Sequence, residues 1–397
     1  MSTELVILFV LLCIFAYSIL SKAIGKTIVT LPILFVAVGY ICAEPISALA
    51  PSDVLDDGKR LLAEITLVLV LFSDASRVQF KSLRRTFKIP LRMLAIGLPL
   101  TVALGTVVVY LLNPQSGIAM ALLAAAVLTP TDAALGQTVV TSPDVPADLR
   151  ETINVESGLN DGLVLPFVLL SATFAAAGIG DAQTDGLAAL VVLQVVLGPL
   201  VGVIVGWSVA KMMDATQSRD LMAEAAGGVA FVVAAFAAYI GAEIVGGNGF
   251  IAAFVAGMVF GNAYKHPIHF IAEFMEGVGQ LLTIFAFMVF GALLLPIGLE
   301  HMTWNTLVLA ILFLSAVRII PIWLSLLGAG LSPRETLFLG WFGPRGLASI
   351  LFTLIIIDEY DFAHEQELLA CVSLTVFLSV ILHGVTAAPL AKRIGRA

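Results

Sequence analysis

Residues 127–162, VLTPTDAALGQTVVTSPDVPADLRETINVESGLNDG, decide how this chain folds. They form two apolar segments joined by a short polar turn over Thr141–Asp148. Each segment carries a carboxylate where hydrocarbon is expected: Asp132 in the first and Asp161 in the second, with Glu156 close by. A charge at the centre of a membrane helix costs about 2.5–3.5 kcal/mol on insertion scales. Three such groups in so short a stretch must be compensated by partners, by a function, or by both.

The surrounding chain justifies treating these segments as membrane helices. Its 397 residues are 60% hydrophobic and 12% charged, with a mean hydropathy of +1.05. Soluble domains carry about a quarter charged residues. The composition therefore indicates an all-α polytopic membrane protein, and the alternation of a membrane barrel is absent. Cys13, Cys42 and Cys371 lie far apart in apolar runs and read as core residues. No cofactor and no nucleic-acid partner are expected. The first apolar run, Leu5–Leu20, lacks a basic start and a small-residue cleavage site, so it reads as a retained span. Only seven residues follow Leu390, and no soluble tail is expected.

Apolar runs predict about thirteen spans, near 4–21, 27–45, 61–76, 89–112, 117–140, 149–178, 186–212, 221–243, 248–263, 270–296, 304–328, 335–357 and 366–390. Of the 20 basic residues, 16 fall in loops on the side reached after the first span. The opposite side holds Lys59 and Arg60, and Arg318 and Arg345 fall inside spans. The excess of positive charge places the N-terminus outside and the C-terminus in the cytoplasm. Thirteen spans divide as six, one and six, which inverts the second half relative to the first, a common plan of secondary transporters. The fifth and twelfth spans then correspond, and both are interrupted, by Thr129-Pro130-Thr131-Asp132 and by Gly343-Pro344-Arg345-Gly346. Proline removes a donor and clashes with the preceding turn, so both spans are predicted to be broken.

At 1.5 Å per residue, Asp132 and Asp161 both lie about 13–18 Å from the cytoplasmic edge, so they meet near midplane. Ser157 and Asp161 share one face of the sixth span; Glu156 and Asn160 share another. Arg318 matches Glu156 in depth, and an ion pair between them is the natural assignment. At the breaks, Asp132 offsets a half-helix N-terminus and Arg345 a half-helix C-terminus. Asp161, Asp132, Ser157 and Thr131 make an oxygen-rich pocket suited to a small monovalent cation. Asp74 is either a cavity residue or the end of the third span. Glu64, Glu224 and Glu243 read as interfacial, and His383 as a packed histidine. The basic patch between Arg77 and Arg92 reads as a contact with anionic headgroups.

At these residues the sequence resembles the NhaP-type sodium/proton antiporters of the monovalent cation:proton antiporter family. The resemblance runs through LFSDAS, LTPTDAALG, ESGLNDG, AVRIIP, GPRGLASI and ILHGVTAAPL, in that order along nearly the whole chain. It implies a homodimer with an elevator-like movement of an ion-transporting core. Residues 61–178 and 270–390 would contribute that core, and 1–60 and 186–263 the dimer and scaffold helices. It also implies that Asp161 is the main cation- and proton-binding carboxylate. Asp132, Thr131 and Ser157 would assist it, Asn160 would complete the motif, and Glu156 would pair with Arg318. Asn160, where electrogenic relatives carry a second aspartate, points to the electroneutral branch. Ala133 departs from the proline common in relatives. The expected activity is exchange of Na+, or of Li+ or K+, for H+ across the plasma membrane. A sodium-coupled symporter on a related fold is the alternative. An intramembrane aspartyl protease would need a glycine–x–glycine–aspartate pattern that this chain lacks.

Overall fold

The structure describes residues 3–24, 27, 29–47, 52–79, 88–177, 184–267 and 269–395. It is a computed structural model, all-helical, with no strand among the described residues. Among the described residues, eight helices are long and apolar enough to cross a membrane, and three shorter apolar helices accompany them. The chain is thus a multi-pass membrane protein.

In chain order the helices are α1 (Thr3–Ile24), α2 (Leu31–Ile41), α3 (Ser52–Arg77), α4 (Lys88–Leu112), α5 (Gly117–Val127), α6 (Ala133–Val140), α7 (Ala147–Ala177) and α8 (Thr184–Gln217). They continue with α9 (Glu224–Ile244), α10 (Gly249–Ala263), α11 (Phe270–Glu300), α12 (Trp304–Ser325), α13 (Pro333–Trp341), α14 (Leu347–Glu359) and α15 (Glu365–Ile394). The stretches expected to break are broken: helix stops at Val127 and resumes at Ala133, and it stops at Trp341 and resumes at Leu347.

Three distortions have no counterpart in the sequence reading. In α4 the turn Met93–Gly97 is π-helical, and in α11 so is Phe290–Leu294. Each lies just before a proline, Pro99 or Pro296, whose ring cannot tolerate regular helix behind it. In α12 the helix is interrupted at Ser315, whose φ of −123° and ψ of −97° are not helical. The amides of Arg318 and Ile319 then turn back onto the Ser315 carbonyl, at 3.2 and 2.7 Å.

Small residues set how closely the helices approach. On α10, Gly257 and Gly261 lie against the backbone of α3, and a Cβ at either would collide with the carbonyl of Phe72 or of Ser76. On α8, Gly198, Gly202 and Gly206 lie in the same way against the carbonyls of Asn248, Ala252 and Ala256 on α10. Without a hydrophobic drive between helices in lipid, such backbone-to-backbone packing is a main source of association. α10 is therefore clamped between α3 and α8, and the Asn262 side chain adds a hydrogen bond to the Val78 carbonyl at 2.8 Å. This contact joins residues 61–76 to residues 248–263, which the family resemblance assigns to different units. Gly257→Ala is expected to overpack it, at a cost of about 1–3 kcal/mol. Thermal unfolding in detergent should show a lowered midpoint, with Gly58→Ala, where an added Cβ meets nothing within 4 Å, as the control.

Candidate cation site

Two helix breaks face each other, and each supplies what the other lacks. A helix C-terminus leaves carbonyls without donors, and an N-terminus leaves amides without acceptors. At the end of α5 the orphan carbonyls are met from the second break. The Arg345 guanidinium donates to the Thr129 carbonyl, and to that of Pro130 at 3.2 Å. The Ser349 hydroxyl donates to the Val127 carbonyl at 2.7 Å. At the start of α14 the Leu347 amide donates to Asp132 Oδ2 at 2.7 Å, while Oδ1 accepts the Leu135 amide of α6 at 3.2 Å. One carboxylate therefore caps two half-helices, where a negative charge offsets both dipoles. The extended segments are tied directly as well, since the Asp132 amide donates to the Pro344 carbonyl at 2.7 Å. Glycine is required at 346, where a Cβ would occupy the place of Asp132 Oδ2.

Behind this crossing lies a closed polar network. Arg318 Nη1 donates to Glu156 Oε1 at 2.8 Å, with both side chains almost fully buried. The same oxygen accepts from Asn160 Nδ2 at 3.1 Å, and Oε2 faces the Thr131 hydroxyl at 3.2 Å. Thr131 Oγ1 also lies 3.2 Å from Ser157 Oγ and 3.3 Å from Asn160 Nδ2. A Cβ at Gly343 would strike the Arg318 guanidinium, so that glycine is what lets the arginine lie over the second break.

In front of the crossing a cavity of about 430 Å³ opens. Its lining includes Asp74, Asp132, Ser157 and Asp161, with Arg77, Glu276, Gln280 and Thr283. Arg77, Thr141 and Glu276 are exposed, whereas Asp132, Ser157 and Asp161 are buried, so the first three mark the mouth and the last three the floor. Asp161 differs from the other floor groups: its Oδ1 is buried and has no hydrogen-bond partner among the described residues. A buried carboxylate without a partner costs several kcal/mol, and a cation entering the cavity removes that cost.

A family model described as "Sodium/hydrogen exchanger, transmembrane" matches residues 5–393. The chain belongs to this exchanger family. The K(+)/H(+) antiporter NhaP2 of Shewanella sp. (strain MR-4) is 25% identical over 343 residues, covering 85% of this chain and 58% of its own. A probable Na(+)/H(+) antiporter of Schizosaccharomyces pombe is 28% identical over 317 residues, covering 76% of this chain and 41% of its own. This exchanger chain thus spans little more than half the length of the Shewanella relative. Among solved structures, the sodium proton antiporter MjNhaP1 from Methanocaldococcus jannaschii superposes with a TM-score of 0.78 at 19% identity, over 100% of both chains. That likeness gives the exchanger fold.

Placed on this exchanger fold, the residues singled out by sequence separate into two groups. Asp161, Asp132, Ser157 and Asp74 line the cavity. Thr131 and Asn160 are not in its lining: both reach Glu156, although the Thr131 hydroxyl also touches Ser157. The Thr131 hydroxyl thus joins the two groups, 3.2 Å from Glu156 Oε2 on one side and 3.2 Å from the cavity-lining Ser157 Oγ on the other. His383 is buried, stacked on Trp341, with Nε2 3.0 Å from the Trp341 carbonyl and Nδ1 3.0 Å from that of Ser379. Glu64 is held by Arg60 at 2.8 Å, and Glu243 accepts the Gly249 amide at 2.7 Å. The Glu224 side chain and the basic residues 81–85 lie outside the described residues. Arg77, Gln280 and Thr283 also enter the cavity wall, and sequence reasoning missed all three. The polar positions 276, 280 and 283 on an otherwise apolar helix were the available signal.

Proposed function

We propose that the chain is a secondary antiporter exchanging a monovalent cation for H+ by competition at Asp161. The observation that carries this reading is the buried, unpartnered Asp161 oxygen on the floor of a polar cavity. Cation and proton neutralise the same charge, so the site holds one or the other. Asp132 and Ser157 supply neighbouring oxygens, and Asp74 adds charge on the way in. The breaks flanking Asp132 are already satisfied by each other, so they can pass through the cycle without exposing backbone to lipid. Elements of the Asn160 branch point to electroneutral exchange.

The remaining architecture is part of the same reading: about thirteen spans in a six-plus-one-plus-six inverted repeat, in the plasma membrane, with the N-terminus outside. The sequence resemblance supports a homodimer and a moving core. Its clamp on α10 argues that α3 stays with the scaffold helices α8–α10, while α5–α7 and α12–α15 carry Asp161 past it. Na+, K+ and Li+ are all candidates, since the named relatives divide between K+ and Na+.

The purified protein in liposomes loaded with a pH-sensitive dye tests the proposal. Addition of NaCl, KCl or LiCl is expected to dissipate an imposed pH gradient, and choline chloride is not. A response that requires an added organic solute would favour the symporter instead, and no response to any of the three salts would end the antiporter reading.

A further inference from the structure

Arg77 is not used by the exchange mechanism, yet it stands in the ion's path. It is the last residue of α3 and lines the cavity mouth. Asp74, three residues earlier and on the same helix face, lies one turn deeper in the same wall. The guanidinium is exposed and has no hydrogen bond or ion pair among the described residues. Its charge acts on Asp74 through space. Three carboxylates, those of Asp74, Asp132 and Asp161, share the cavity beneath it. Such a cluster of hard oxygens favours a divalent ion over a monovalent one, because Coulomb attraction scales with the ion's charge.

We propose that Arg77 sets the charge selectivity of the cavity, opposing divalent cations more than monovalent ones. The inference rests on the exchange reading for its physiological meaning, though not for its test. A fixed positive charge raises the free energy of an entering ion in proportion to that ion's charge. The factor by which it weakens monovalent binding is therefore squared for a divalent ion. A low-dielectric cavity wall keeps the field from being screened as it would be on an open surface. Glu276 lines the mouth opposite in sign, so its removal acts in the reverse direction by the same law.

The test measures binding by the purified protein in detergent at a fixed alkaline pH and fixed ionic strength. Thermal stabilisation is titrated with NaCl and, separately, with CaCl2. Arg77→Gln is expected to lower the half-saturating Na+ concentration about threefold and that of Ca2+ about tenfold, the square. Arg77→Lys should match the parent, and Glu276→Gln should raise both values with the same squared relation. Equal factors for the two ions, or no change in either with Arg77→Gln, would overturn the proposal. Arg77 is exposed and has no pairing partner among the described residues, so its replacement leaves the fold intact, and Glu276→Gln gives an independent reading of the same field. Liposome exchange by the unmodified protein is scored separately. Its absence defeats the antiporter reading, whereas unchanged binding factors defeat only the role of Arg77.

Discussion

Asp161→Asn is expected to reduce cation-driven proton movement to the level of vesicles that lack the protein, and to leave the folded yield undiminished. The first half follows from competition. Asparagine keeps the size of the side chain but cannot take up a proton in exchange for a cation, so the shared seat is lost. The second half has the opposite sign from a structural role. If Asp161 held the fold together, removing its charge would unpair its partners and lower stability. Its Oδ1 has no hydrogen-bond partner, however, and burying a lone carboxylate is a cost rather than a contribution. The thermal midpoint of the variant should therefore equal or exceed that of the parent in sodium-free buffer. Stabilisation by added Na+ should disappear with it. Everted vesicles with a pH-sensitive dye, run beside a melting curve of the same preparation, measure both. A variant that exchanges at the parent's rate would remove Asp161 from the mechanism, and one that misfolds would make it a structural acid.

The breaks and the acids were legible because they violate local rules. Pro130 and Pro344 cannot sit in regular helix, and carboxylates at Asp132, Glu156 and Asp161 cannot sit in lipid uncompensated. Helix periodicity then separated the Ser157–Asp161 face from the Glu156–Asn160 face, and the structure turns the first to the cavity and the second to Arg318. Partner choice was not legible. Both breaks offer orphan amides and carbonyls, and sequence counts them without saying which side chain meets which. Asp132 reads as an ion ligand, and the sequence does not show that both its oxygens also accept amides, from Leu347 and Leu135. Thr131 reads the same way, and the sequence does not show that its hydroxyl lies between Glu156 and Ser157. The interruption at Ser315 lies six residues before Pro321, yet its exact place becomes visible only with the packing that brings Arg318 onto Glu156. The attachment of α3 to α10 was not legible either, because it is carried by glycines on the other helix, Gly257 and Gly261.

Arg318→Ala is expected to give the largest loss of folded protein of any single change at the site. The pair it breaks is buried on both sides, at 3% and 2% side-chain exposure, with 2.8 Å between Nη1 and Oε1. Taking one partner away leaves the other as an uncompensated charge in a low-dielectric interior, which costs about 3–5 kcal/mol. Glu156 would then retain only the neutral donors Asn160 and Thr131. Glu156→Gln in the same chain removes that stranded charge, so the double variant should recover part of the yield, and the two single losses should not add. Glu156→Gln alone should also be harmful, since it strands Arg318, whose Nε and Nη2 already lack partners. Monodisperse yield by size exclusion and thermal midpoints for the four chains complete the cycle. A coupling energy near zero would mean that the two charges are satisfied independently. A large coupling together with exchange that survives in the double variant would show that this pair holds the crossing in place, while Asp161, on the opposite face of α7, handles the ion.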